Sequence, residues 1–283
     1  MSVFIIVVHL KTWLMSDYDK ARDVLSRRLA IESALLRALR DECVRVIMLI
    51  ASLGYESEMS GMEFRLSNCG KYEEILELLG ELRLWIYMNV THYSQMAVNV
   101  VESHWEPVVG LVADEYVNRE INGKTLKERV GIYVGRLKSE AEMWIAAGLV
   151  GGLSLNKLEK EVREWVAKPY SSRLFLAASG TAGHTTAGSA RLRRGVPKFG
   201  TGQLKSAYSS LERLGAWVVA DMVRMAEFLS WGSDSRVTGY RVYRGSSYPC
   251  SLCDMMTGFH PKGFEELPPY HARCCCFAVP VME

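Results

Sequence analysis

No stretch of this 283-residue chain reaches the ~18–20 consecutive apolar residues that a bilayer-spanning helix needs. A membrane-crossing segment is therefore not expected. Charge of one sign is also scarce: 34 Lys and Arg stand against 32 Asp and Glu, a formal balance of +2. That excludes a polycationic nucleic-acid coat but leaves room for a local basic patch. A secretory leader is not evident either. Val3-Phe4-Ile5-Ile6-Val7-Val8 has no basic stretch before it and no small-residue cleavage site, and His9 and Lys11 close it. These residues read as a buried strand or helix turn, or as a segment upstream of a true start at Met15. No Gly-x-Ser-x-Gly, phosphate loop or paired-carboxylate motif stands out, so the common hydrolase and nucleotide signatures are missing.

What is present is globular in balance, with 49% hydrophobic and 23% charged residues. Extended disorder does not fit that composition, and the length allows one or two domains. Residues 17–53 hold neither proline nor glycine. Apolar residues recur there at Leu25, Leu29, Leu36, Leu39, Val46, Ile47 and Ile50. That spacing predicts one long amphipathic helix, with Gly54 as its stop. Residues 55–70 read as a loop. A second helix is expected from Tyr72 through Trp85 toward His104, with Pro107 interrupting it. Helical patterning returns over 107–120 and 125–149. After Gly151-Gly152, Ser154 stands where an N-cap belongs, and Leu155 to Ala167 form another helix. Residues 178–202 read as a flexible, basic connector, and 203–231 are helical again. Tyr240-Arg241-Val242-Tyr243 and Phe277-Ala278-Val279 read as short strands. Trp85, Trp105, Trp144, Trp165, Trp217 and Trp231 fall on helical stripes and read as core. The fold class expected is mainly α: a helical N-terminal body followed by a small α+β module resembling a zinc knuckle.

The seven cysteines are Cys43, Cys69, Cys250, Cys253, Cys274, Cys275 and Cys276, and five of them fall in the last 34 residues. An odd number crowded into one tail suits a reducing compartment and a metal site better than a disulfide framework. Cys250-Ser251-Leu252-Cys253 fits a tight turn whose amides face two sulfurs. His271 and the following cysteines supply a second pair, and Zn²⁺ favours four nitrogen and sulfur ligands in closed structural sites. Cys250, Cys253 and His271 are the firmest candidate ligands. The fourth is Cys274 or Cys276, which share one face if the segment is extended, with Cys275 on the other. Ordinary buried thiols and disulfides between the two halves are the competing readings.

The tail resembles the C-terminal signature of the tailed-phage minor head proteins, the Mu F-like or phage head morphogenesis family. The residues that carry this are Cys250-Ser251-Leu252-Cys253, Thr257-Gly258, Pro268-Pro269-Tyr270-His271, Cys274-Cys275-Cys276 and Val279-Pro280-Val281. The helix from Tyr208 to Trp231 and the strand from Tyr240 to Arg244 form a similar lead-in. So do Gly195, Ser206-Ala207-Tyr208, and Gly152-Leu153-Ser154 followed by a helix to Pro169. The likeness covers roughly residues 145–283, while residues 1–144 form a helical region that resembles no family. Cys275 stands where relatives commonly carry arginine. Ala216-Trp217-Val218-Val219 stands where they often show a Thr-Glu pair. The resemblance implies a non-enzymatic phage or prophage structural protein, a few copies per head, acting near the portal. Portal and capsid proteins would be its partners. It would reside in the virion head, and in the host cytoplasm during assembly.

Residues 190–245 carry an excess of basic over acidic side chains. Arg191, Arg193, Arg194, Lys198 and Lys205 are the candidate contacts to DNA phosphates, without sequence preference. A solvated face is the competing reading of the same charges. Two enzymatic alternatives are of mobile-element origin. In an HNH-type nuclease His260 and His271 would serve as base and ligand. Val242-Tyr243-Arg244-Gly245 resembles the opening strand of ADP-ribosyltransferases, but no later Ser-Thr-Ser strand or Glu-x-Glu turn follows. His9, His92, His104 and His184 read as packed or surface side chains.

Overall fold

The computed structural model describes residues 15–57, 64–105, 113–168, 206–264, 266–271 and 273–283. The Val3–Val8 run, Pro107, the 178–202 connector, and Arg191, Arg193, Arg194, Lys198 and Lys205 lie outside them. The described chain is mainly helical and ends in a small antiparallel sheet. Its elements are α1 (Asp17–Tyr55), a 3-10 turn (Leu66–Asn68), α2 (Tyr72–Glu102), α3 (Ala113–Val117), α4 (Leu126–Val150), α5 (Leu155–Ala167), α6 (Ala207–Ser233), β1 (Val237–Tyr243), α7 (Ser251–Met255), β2 (Gly258–Pro261) and β3 (Phe277–Met282). No helix among the described residues is long and apolar enough to cross a membrane.

These residues cluster into two compact units, each drawing on segments from both sides of residue 145. One contains the described residues within Met1–Leu36, Asn89–Glu120 and Arg213–Glu283; the other those within Arg37–Met88 and Ile121–Glu212. The second unit is built by helical periodicity. Leu39, Cys43, Ile47 and Ile50 of α1 are buried, as are Ile75, Leu79, Leu82 and Ile86 of α2, and Val130, Val134, Leu137, Ala141 and Trp144 of α4. Steps of three and four put each set on one helix face. Trp144 meets Trp165 of α5 edge-on, with ring centroids 6.3 Å apart.

Several ends in this unit are closed by specific bonds. A capping box starts α4: the Thr125 hydroxyl accepts from the Glu128 amide, and the Glu128 carboxylate accepts from the Thr125 amide. Buried Glu140 accepts the Ala207 amide at 2.6 Å, satisfying one of the orphan donors at the start of α6. Ser154 takes the extended N-cap conformation ahead of α5, but its hydroxyl makes no capping bond. Gly54 stands one residue before the end of α1, close to the stop expected there. It lies within α1, where a Cβ would come 2.9 Å from the Phe64 ring, so glycine there permits close packing.

The first unit contains the sheet, in strand order β2-β1-β3 with both pairings antiparallel. Alternate residues of β3 point to opposite faces. Ala278 joins a buried cluster with Trp231, Val237, Tyr240, Val242, Leu267, Cys253, Cys274 and Cys276. Phe277 and Val279 pack on the other face with Ala21 of α1. Tyr18 adds edge-on contacts to Tyr243 and Phe277, at centroid distances of 5.1 and 5.5 Å. The start of the first helix thus covers the outer face of the C-terminal sheet. The buried line of α1 in this unit is Ala21, Val24, Arg28, Ile31 and Leu35 rather than Leu25, Leu29 and Leu36, which are half-buried. Arg28 on this line is buried and paired with neighbouring Glu32, positions that apolar counting passes over.

Candidate metal centre

Two short pieces of chain supply the donors. Cys250 sits at the N-cap of α7 with extended dihedrals, and its carbonyl accepts the Asp254 amide at 2.9 Å. The Cys253 amide faces the Cys250 sulfur and lowers its pKa, with smaller contributions from the side chains of Cys253 and His271. This is the turn that the Cys-x-x-Cys spacing predicts. Arg244 braces the approach, pairing with Asp254 and donating to the Tyr248 carbonyl. The second piece turns at Arg273, whose φ of 64° is left-handed, and the Cys274 amide closes that turn on the His271 carbonyl at 3.0 Å. The Cys276 amide then points back at the Cys274 sulfur, 3.4 Å away.

The pieces converge. His271 Nε2 lies 3.4 Å from Cys250 Sγ and 3.2 Å from Cys253 Sγ, and the sulfurs of Cys253 and Cys274 are 3.8 Å apart. On a tetrahedral Zn²⁺ with bonds of about 2.3 Å to sulfur and 2.0 Å to nitrogen, two thiolates stand about 3.8 Å apart and a thiolate and an imidazole about 3.5 Å apart. These three spacings match those around such an ion, and the donor types suit it. Two overlapping triads have all donor atoms within 4.8 Å: Cys250, Cys253 and His271, and Cys253, Cys274 and Cys276. Cys253 belongs to both. Both candidates for the fourth ligand thus gather on the same sulfur, while half-buried Cys275 stands outside either triad. All seven cysteines are free thiols.

Electrostatics divide the sulfurs. Cys274 is pulled down to about 5, first by the Cys276 side chain and then by the amides of Tyr270 and Cys276, against its own burial. Cys276 moves up, because it donates to Cys274 and is buried. Burial likewise pushes Cys253 up to about 12. Thiolate character thus falls on Cys274, with Cys250 shifted in the same direction and Cys253 and Cys276 shifted the opposite way. A coordinated cation would favour the deprotonated form of every ligand it touched. Cys43, by contrast, lies in the helical unit, fully buried and pushed up to about 12, and is an inert thiol.

Other expected site residues do not join the cluster. His260 belongs to neither triad; its Nε2 donates to the Met256 carbonyl at 3.0 Å, and its ring stacks on Phe264. His104 is buried with Nε2 2.8 Å from Asp23. Within the described part of the basic window, Arg224 pairs with Asp221, Arg236 with Asp234 and Arg244 with Asp254, whereas Arg213 and Arg241 are exposed.

One set of residues around the cluster had not been expected. Buried Arg28 of α1 donates through Nη2 to the Cys274 carbonyl at 2.5 Å, across 246 positions of sequence. Its Nε lies 3.0 Å from Glu32. Glu227 of α6 is buried and pushed up to about 8, with the Arg28 charge the only opposing influence. The available signal was local: a charged residue on the line that α1 buries. Compared with protein-family models, curated proteins and solved structures, the chain matches none.

Proposed function

We propose that this chain is a minor head protein of a tailed phage or prophage, a structural protein acting near the portal in head morphogenesis, with a C-terminal module stapled by one zinc ion. The observation that carries the reading is the convergence of Cys250, Cys253, His271, Cys274 and Cys276. These are among the residues on which the family resemblance rests, and they gather as two donor triads that share Cys253, with the sulfurs of Cys253 and Cys274 3.8 Å apart. Three of the five are buried, as suits a closed structural site; a catalytic zinc keeps one position open to water or substrate. The placement of His260, occupied by a carbonyl and a stacked ring, lends nothing to the nuclease alternative.

A part in DNA packaging or delivery rests on Arg191, Arg193, Arg194, Lys198 and Lys205. Three of the nearby arginines are already neutralised by acids. The test is co-expression with portal and capsid proteins of a tailed phage. Co-purification with the portal protein, about one zinc per chain, and intact DNA after incubation with divalent metal are the expected results. Cleavage of DNA by the purified chain, or failure to associate with portal and shell, would overturn the reading.

A further inference from the structure

We infer that Arg28 is a positioning residue for the metal-binding loop, coupling ion binding at the Cys/His cluster to the seating of the first helix on the C-terminal module. The inference rests on the metal reading above and adds to it a linkage between the two ends of the chain. Its basis is the way the Cys274–Cys275 backbone is held. On one side, Arg28 Nη2 donates to the Cys274 carbonyl at 2.5 Å. On another, the chain leaving β1 presses close: a Cβ on Gly245 would fall 1.8 Å from the Cys275 carbonyl oxygen and 2.9 Å from Leu25 of α1. From within, the Cys276 amide faces the Cys274 sulfur at 3.4 Å. One stretch of backbone is thus fixed by the first helix, by the strand exit and by a donor thiolate, and its orientation sets where that thiolate points.

The chemistry of the hold argues for positioning rather than bulk stability. Arg28 is 3% exposed and Glu32 6%. Removing two charges from water costs about as much as, or more than, their attraction returns, so apolar residues of similar size often serve stability equally well. What an apolar residue cannot do is aim a donor at one carbonyl. Groups that orient a ligand from behind typically change metal affinity 10–100-fold when removed. Because linkage is reciprocal, a loop that Arg28 prepares for the ion must, when the ion is bound, hold Arg28 and its helix more firmly.

The experiment uses the full chain. Wild type and the double variant Arg28→Met, Glu32→Leu are compared by competition against a chromophoric zinc chelator, and as cobalt derivatives by their visible d–d bands. The variant is expected to stay folded, bind zinc about 10–100-fold more weakly, and show altered cobalt bands. In wild type, stripping the metal should raise amide exchange over residues 17–36 at least several-fold. Wild type that binds no zinc would overturn the metal reading itself. Wild type that binds zinc, with equal affinity in a folded variant, would overturn the coupling alone. So would unchanged exchange over residues 17–36 on stripping, a result that does not depend on the variant folding.

Discussion

In the helical unit, Phe64, Leu66, Ile75 and Trp144 are buried among helices whose apolar residues recur every three or four positions. In the C-terminal module of the other unit, the interior shared by Trp231, Tyr240 and Val242 contains three cysteines, Cys253, Cys274 and Cys276. The difference follows from how much chain each has to work with. α4 alone contributes 25 residues to the helical unit, whereas the module's strands have seven, four and six residues and its helix five. Elements that short bury little apolar surface by themselves; they lean on Trp231 of α6 and Ala21 of α1, and small modules are commonly stapled by metals or disulfides. The two regions should therefore fail for different reasons, and perturbations aimed at one should spare the other.

The largest separation is expected from the ligands. Structural zinc contributes apparent energies of order ~10 kcal/mol in small modules, so under the proposed zinc reading losing one donor should remove much of what orders the tail. Cys250→Ser and His271→Ala should each expose residues 245–283 to limited proteolysis and hydrogen exchange, as should a strong chelator. Residues 126–150 should keep their protection, and Cys43→Ser should leave the tail protected. If all three variants were equally sensitive throughout, the comparison would collapse and the cysteine cluster would be incidental. The converse perturbation is Trp144→Ala, which removes one of the largest fully buried side chains of the helical unit. A loss of about 3–5 kcal/mol in urea unfolding is expected, from transfer and cavity terms together. Zinc stoichiometry should not change; a fall in metal content would show that the two regions do not behave separately.

The same contrast governs what could be read from the sequence. α5 was legible to the residue, because Ser154, the apolar spacing and the proline beyond it all mark the same boundaries. The ends of α1, α2 and α4 were legible to within a few residues for similar reasons. In the C-terminal module the donors were legible and much of the architecture was not. β2 is four residues long, begins at Gly258 with φ of 126°, ends in a proline and exposes Phe259, so its apolar residues do not mark the buried face. α7 is a short helix of five residues that starts within the Cys-x-x-Cys spacing and ends two residues beyond it. Arg28 was illegible as a neighbour of the cluster because 246 residues separate it from Cys274, and only the fold brings them together.

A shared feature sharpens the comparison at intermediate scale. Each unit buries one carboxyl whose pKa is pushed up to about 8 by burial: Glu140 in the helical unit and Glu227 in the other. At Glu140 the Ala207 amide and Arg136 oppose the shift without cancelling it. A carboxyl raised from 4.5 holds its proton in the folded state after the unfolded chain has lost it. Stability is then fully present below about pH 4.5 and declines as pH rises toward about 8. Glu140→Gln keeps an oxygen to accept the Ala207 amide and removes the titration. It should flatten the pH dependence of the helical unit and raise its stability near pH 8 by roughly 1–3 kcal/mol. An unchanged slope would place the titration elsewhere, with Glu227 the next group to replace.

The smallest effect should come from the capping box of α4, where the helical unit closes an end with side-chain bonds at a partly exposed site. Thr125 Oγ1 accepts the Glu128 amide at 3.3 Å, and the Thr125 amide donates to the Glu128 carboxylate at 2.7 Å. Replacing an N-cap threonine by alanine typically costs about 1 kcal/mol, because one amide in the first turn loses its partner. Thr125→Ala should therefore lower the stability of the helical unit by about that amount and leave zinc affinity as it was. The bond from the Thr125 amide also holds the Glu128 carboxyl below its ordinary pKa, with the Thr125 hydroxyl adding to it. That contribution is present above the ordinary glutamate range and fades as pH falls through the depressed value. The variant keeps the amide but loses the hydroxyl, so the mutational difference should be larger at neutral pH than in acid. Urea titrations of both chains at pH 7 and pH 3, with tryptophan fluorescence as the readout, would measure it. A difference that grew in acid would mean that the carboxylate is held by something other than this cap.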